Sequence, residues 1–391
     1  MSAGGAHIRT ILATAVQDGV VPGVVVLASV AGQIRLCEVA GHSRIEPSSR
    51  PTHRHTVWDL ASLTKALVTS ILGMQASAAG AIDLDEPIGA GPAGAGPATA
   101  NAMTVRLALA HAAGFPAHLN FWARADVLGP DGQGAVTAAA RAALTAAAAH
   151  TPLAYPPGTR SIYSDLGFIL LGDLLERRLG GRLDNLAAAR LGPAFAAPPP
   201  PESQAGLANP TAPDSPLHYR PVGTQAPQVD LAQTEACPVR RKLPLGEVHD
   251  LNAYAMGGVA GHAGLFGSAD AVAALVHGLL AAYRGAALGA GLPPLVDAQV
   301  LRQFWTPAGI PGSNWRLGWD GPSGHGSLAG DRITRQAVGH LAFTGCSLWI
   351  DPERETFVLM LSNRVNPPAH PRFRDLRRAV NDAALDAVGY P

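Results

Sequence analysis

The sequence predicts a mixed α/β (α+β) fold. An antiparallel sheet is built from both termini with flanking helices, and a mainly helical domain is inserted between its halves. Three observations carry this. Apolar, β-branched runs stand near the start of the chain, at 24–30 and 33–39. Two more stand near the end, at 347–350 and 356–362, and the stretch between is dominated by helical periodicity. At 391 residues the chain exceeds what one core ordinarily serves, so two units, or one large unit with an insertion, are expected. Residues 1–62 and 246–391 form the sheet domain, and 63–245 the helical insertion.

Residues 7–19 repeat apolar side chains at helical spacing and lead into two β runs joined by Ala31-Gly32, a hairpin signal. A polar loop carrying His53 and His55 follows. Two histidines at i, i+2 can ligate a metal, but the reading adopted is a solvated loop with no metal. Next, 58–73 places Leu63, Ala66, Leu67, Ser70 and Ile71 at i, i+3, i+4 spacing, the mark of a helix with one face in a core. Residues 89–94 match G-x-G-x-x-G, yet no β-rich run precedes them and Pro92 interrupts them, so no dinucleotide cofactor is expected.

Helices are expected at 105–113 and 134–149, the second rich in alanine. A turn at 155–162 delivers Tyr163-Ser164-Asp165 to the start of a strongly apolar helix, where a loop can present polar groups to a cleft. Residues 193–245, dense in proline, read as a long irregular excursion over the surface. The glycine-dense 256–268 is expected in tight turns, with helices at 269–283 and 374–387 and the two late strands between them.

Composition narrows the function. The chain is 47% apolar, and its 29 basic and 29 acidic residues balance to zero formal charge with no basic run. This argues against nucleic acid or an anionic membrane and for a small neutral substrate. Cys37, Cys237 and Cys346 are too far apart for a zinc ribbon or a disulfide framework and read as incidental thiols. The first residues, MSAGGAHIRT, lack the features of a signal peptide. No segment reaches the ~18 apolar residues that span a bilayer, so a cytoplasmic setting is expected.

Within the helix at 58–73, Ser62 and Lys65 are a candidate nucleophile and base. Unpaired N–H groups in the first turn, with roughly half a positive charge from the macrodipole, favour an alkoxide there. Lys65 leaves the same face about 5–6 Å away at Cβ, and a partly desolvated lysine can serve as a base. The alternative is an N-cap serine followed by an ordinary solvated lysine. Neither of the two lysines, Lys65 and Lys242, lies in a Walker A loop, and no G-x-S-x-G elbow exists.

Three boxes make the chain resemble the serine β-lactamase and penicillin-binding protein superfamily, nearest its class C β-lactamase and family VIII esterase branch. Ser62-Leu-Thr-Lys65 looks like S-x-x-K, Tyr163-Ser-Asp165 like Y-x-N, and His340-Leu-Ala342 like K-T-G. The segments DLASLTK, PPGTRSIYSDLGFILLG, GGVAGHAGLFGSA and FTGCSLWIDPE extend the likeness in order along nearly the whole chain. The resemblance implies that Ser62 attacks an acyl carbonyl and that Lys65 and Tyr163 exchange its proton. It also implies that the backbone N–H groups of Ser62 and Phe343 form an oxyanion hole, and that water later releases the acyl-enzyme.

The departures shape the expected substrate. Asp165 stands where the pattern has asparagine, adding a carboxylate beside Lys65; this raises the lysine's proton affinity and leaves tyrosine as the main proton carrier. His340 replaces the cationic lysine, as a positional substitute or as a structural strand-end residue. Leu341 replaces a hydroxyl that holds the substrate carboxylate, and Ala342 replaces a glycine that lets substrate lie close. A carboxylate-bearing β-lactam or D-alanyl peptide is therefore expected to bind poorly, and a small uncharged ester or amide to be the substrate. The competing readings are a β-lactamase or D-alanyl peptidase, and an inactive scaffold that binds a ligand or partner. His262 is expected to hold the glycine turn by a ring hydrogen bond.

Overall fold

The computed structural model describes residues 3–45, 48–88, 103–128, 138–192, 217–224, 229–237, 239–240, 245–287, 293–366 and 370–391. The main sheet is antiparallel and takes strands from both ends of the chain. Its order is β3 (Arg50–Pro51), β2 (Gln33–Arg44), β1 (Gly23–Val30), β9 (Thr356–Ser362), β8 (Ser347–Asp351) and β7 (Val338–Leu341). The hairpin turns where expected: Ala31 and Gly32 have φ of 49° and 76°, the left-handed pair that matches a two-residue turn to strand twist. The seam between the two ends is the β1–β9 pairing, in register from Val24 opposite Ser362 to Val30 opposite Thr356.

β1 reads as a continuous apolar run because both its faces are covered. Val24, Val26 and Ala28 pack with Ile8 and Leu12 of helix α1 (Ala3–Gln17) and with Phe373, Val380 and Ala384 of the last helix, Phe373–Ala387. Those two helices touch closely: a Cβ on Gly4 would sit 2.6 Å from the Ala387 Cα. Val25 and Leu27, with Leu348, Ile350, Leu359 and Leu361, face the other way into a larger core. That core takes in α2 (Ile71–Ala78), α3 (Val105–Leu109), α4 (Ala138–Ala149), α5 (Asp165–Leu179), α6 (Leu183–Leu191) and α8 (Ala269–Tyr283), while α7 (Leu251–Ala255) lies between α6 and α8 in the chain.

Several local readings are corrected. Helix α3 ends at Leu109 rather than 113, because His111 adopts φ 54° and its Nδ1 accepts the Ser164 amide at 3.1 Å. Residues 134–137 of the expected alanine-rich helix, the glycine pattern at 89–94 and residues 193–216 lie outside the described residues. The described part of 217–245 is more than a surface excursion. β5 (His218–Tyr219) joins β6 (Leu265–Gly267) and β4 (Trp58–Asp59) in a second sheet of order β4-β6-β5. Tyr219 is buried there and its hydroxyl donates to Ala260 O at 3.0 Å.

No described helix is long and apolar enough to cross a membrane. The three cysteines are free. His55 pairs with Asp270 at 3.0 Å, and Arg54 donates to the same carboxylate at 2.8 Å.

Candidate active site

The site gathers where the second sheet hands the chain to the central helix. Asp59, at the end of β4, is buried; its two carboxylate oxygens accept the amides of Ala61 at 2.8 Å and His249 at 2.6 Å. This holds Ala61 at φ 43°, a left-handed conformation that a residue with a side chain adopts only under constraint. Ser62 comes next, so it precedes the helix at a sharp turn instead of lying inside its first turn.

The helix then opens as a π-helical stretch, Lys65–Ser70, before α2. The Ser70 hydroxyl donates to the Lys65 carbonyl at 2.7 Å, a side-chain bond spanning that widened turn. Lys65 is completely buried, although a solvated lysine was the open alternative. Its ammonium has three acceptors: Ser62 Oγ at 3.1 Å, the His262 carbonyl at 2.9 Å and Asp165 Oδ1 at 2.8 Å. Three N–H donors meet three acceptors, which is what a buried ammonium requires.

Tyr163 lies in the loop ahead of α5, and its hydroxyl is 2.6 Å from Ser62 Oγ. Ser164 caps the helix by accepting the Leu166 amide at 3.2 Å, and Asp165 opens it. The Lys65 amine and the Tyr163 phenol, far apart in sequence, thus converge on the Ser62 oxygen.

Electrostatics sort these groups. Burial, the largest single influence, presses the Lys65 pKa down, but Asp165 and Tyr163 together outweigh it and the net shift is upward, the direction expected for that aspartate. Burial opposes the charge on Asp165, yet Lys65 and His118 hold its carboxyl well below the usual range. Tyr163 is pushed up to about 12 by burial, against the pull of Lys65. The resting site therefore holds an ammonium, a carboxylate and a neutral phenol.

The far wall is different. His340 on β7 is buried; its Nδ1 bonds the Leu341 carbonyl at 2.8 Å, so Nδ1 carries the hydrogen, and Nε2 has no partner among the described residues. Burial, aided by Lys65, pulls its pKa down to about 3. It is a neutral ring, so the reading of His340 as a stand-in cation is not sustained. Its ring centroid is 5.9 Å from Tyr163 and 5.6 Å from Trp315. His111, buried and likewise held neutral by burial, packs 4.7 Å from Tyr163 and 4.3 Å from Trp315.

Beyond β7 the chain turns sharply. Ala342, Gly345 and Cys346 offer their carbonyls to the buried Arg377 at 3.3, 3.0 and 3.2 Å. Thr344 donates to the Asp59 carbonyl at 2.9 Å, tying this turn to the segment that carries Ser62. Phe343 is 58% exposed, with its ring stacked 5.4 Å from His249. The amides of Ser62 and Phe343 have no hydrogen-bond partner among the described residues.

Sequence reasoning did not single out His111, His118, Asp250 or Trp315. His118 Nδ1 is 2.9 Å from Asp165 Oδ2, and Asp250 Oδ1 is 2.8 Å from His262 Nε2. His262 therefore uses its ring on an aspartate, and its backbone carbonyl on Lys65. Ligand atoms of His118, Asp165 and Asp250 lie within 4.8 Å of one another, a span a cation can bridge. Each is already engaged, Asp165 by Lys65, Asp250 by His262 and the α7 cap, and His118 by Asp165.

Comparison with known proteins bears on the family. The family model described as Beta-lactamase matches residues 8–383. The N-acetylmuramyl-L-alanine amidase of Bacillus subtilis (strain 168) is 27% identical over 380 residues, covering 89% of this chain and 78% of that protein. Two solved structures share the fold at TM-score 0.69. EstCE1, a hydrolase with promiscuous acyltransferase activity, is 18% identical with 99% of each chain covered. The octameric penicillin-binding protein homologue from Pyrococcus abyssi is 17% identical, covering 97% of this chain and 77% of that one. With a match running almost from end to end, the chain belongs to the beta-lactamase family and is a hydrolase of the serine class.

Proposed function

We propose that the protein hydrolyses small uncharged esters or amides through an acyl-enzyme on Ser62. The observation that carries this is the approach of two proton-exchanging groups to one hydroxyl: Tyr163 Oη at 2.6 Å and Lys65 Nζ at 3.1 Å from Ser62 Oγ. Ser62 Oγ attacks the acyl carbonyl and its proton passes to the Lys65–Tyr163 pair once Lys65 has released its own. The tetrahedral oxyanion is held by the amides of Ser62 and Phe343, each such donor being worth on the order of 10²-fold or more. The C–O or C–N bond breaks, the leaving group takes the proton, and water cleaves the acyl-enzyme by the reverse transfer.

Support for an uncharged substrate comes from the wall. His340 is neutral and Leu341, which leans on the core beneath α1 and the last helix, has no hydrogen-bonding group, so a substrate carboxylate reaching this strand meets no cation and no hydroxyl.

A fluorophosphonate probe tests the nucleophile: Ser62 Oγ forms the P–O bond and fluoride leaves. Labelling of Ser62 in the wild type, lost in Ser62→Ala, is expected; an unlabelled native protein overturns the reading. Short-chain p-nitrophenyl esters are expected to turn over faster than nitrocefin, and the opposite order transfers the substrate to β-lactams.

A further inference from the structure

The carboxylate that restrains Lys65 is itself shared. Asp165 presents Oδ1 to Lys65 at 2.8 Å and Oδ2 to His118 Nδ1 at 2.9 Å. A carboxylate only accepts, so Nδ1 carries a hydrogen. On the other side of the ring, Nε2 is 3.2 Å from Asn120 Oδ1. With that carbonyl oxygen facing it, Nε2 also donates and the ring is an imidazolium; with the amide turned over, the ring is neutral. Asn120 therefore serves either protonation state. The His118 side chain is 43% exposed, so its proton exchanges with water, whereas Lys65 is sealed.

We propose that His118 is a positioning residue that governs the release of the Lys65 proton by competing for the charge of Asp165. This rests on the proposed role of Lys65 as a base. With His118 charged, Asp165 divides its field between two cations and holds the ammonium less firmly. With an uncharged residue in its place, the carboxylate acts on Lys65 alone.

The groups facing this relay from every side are Tyr163, Asp250, His262, His111 and His340. Asp250, within 4.8 Å of both His118 and Asp165, adds to the retention of the His118 proton. His111 and His340 are buried and neutral. Asp250 and His262 form a pair of their own, so His118 is the group on the solvent side of Asp165 through which bulk pH reaches the lysine.

The chain's two lysines make the test direct. In protein carrying ¹³Cε-lysine, Lys242→Arg assigns the Lys65 signal, and its titration is compared with the pH dependence of fluorophosphonate labelling. His118→Gln is expected to slow labelling at pH 7, where His118 carries its proton, by about tenfold, the effect of one neighbouring charge. Lys65 itself titrates above the ordinary lysine value, where the His118 ring is already neutral, so wild type and His118→Gln are expected to share its midpoint, whereas His118→Arg, a permanent cation, is expected to lower it. Asp165→Asn moves the midpoint down, and adding His118→Gln to it slows labelling no further. Equal labelling of wild type and His118→Gln at pH 7, or an unmoved Lys65 midpoint in His118→Arg, overturns the proposal. A wild type that is never labelled while His118→Arg still lowers the Lys65 midpoint removes the proposed function and leaves this inference standing.

Discussion

The floor and the far wall of the cleft are built on opposite principles. On the floor, a buried ammonium, a carboxylate and a phenol surround Ser62 Oγ, and each polar atom of Lys65 is matched. On the wall, β7 carries a neutral histidine and a leucine, with an alanine just beyond its end, and the Nε2 of His340 is left unpaired among the described residues. On the proposed function, charge is kept where bonds would be made and removed where substrate would be recognised. The contrast teaches that reaction and recognition are separable here: the first depends on an interlocked charge network, the second on the polarity of a single strand.

The largest test breaks the floor. Tyr163→Phe deletes the 2.6 Å contact with Ser62 Oγ and leaves the ring packed on His111 and Trp315. Ester turnover is expected to fall roughly 10²- to 10⁴-fold while stability in urea changes by about 1 kcal/mol. Comparable losses in both would make the tyrosine structural and erase the contrast.

Lys65→Met asks how tightly the network is interlocked. It strands Asp165 beside an apolar neighbour, and a loss of about 3 kcal/mol in urea unfolding is expected, recovered largely in Lys65→Met/Asp165→Asn. The signs of the two pKa shifts fix the pH window of the pair. Asp165 is lower in the folded state, so its contribution is present above the unfolded carboxylate pKa of about 4 and is lost as pH falls below it. Lys65 is higher in the folded state, so its contribution is complete below about 10 and is lost as pH rises through the folded value. Urea midpoints of wild type and the double variant are expected to lie close within that window and to part outside it, the wild type falling below.

The smallest expected effect sharpens the wall. Leu341→Thr returns a hydroxyl to β7 and is expected to lower KM for a carboxylate-bearing ester about tenfold, one charged hydrogen bond's worth, with kcat for a neutral ester unchanged. No gain would place recognition elsewhere than on this strand.

How much of this was legible depended on whether the signal was local. The hairpin at Ala31-Gly32, helix α8 and strand β9 were readable because periodicity and turn chemistry are written in adjacent residues. The Ser62–Lys65 pair was readable because three residues of spacing set its geometry. The β4-β6-β5 sheet was not, since strands of two and three residues are too short to alternate. Nor was the His118–Asp165 contact, which spans 47 residues and joins a loop to a helix start. The neutrality of His340 comes from burial, helped by the nearby Lys65 charge, which a residue's identity does not announce.

The β1–β9 seam has a consequence for how the protein is made. While the ribosome is still working through the middle of the chain, Val24 to Val30 have their hairpin partner on one edge and nothing on the other, because Ser362 to Thr356 do not yet exist. An apolar strand with an open edge is a template for unwanted pairing between nascent copies. Slower elongation through the late coding region is therefore expected to increase the fraction lost to aggregates.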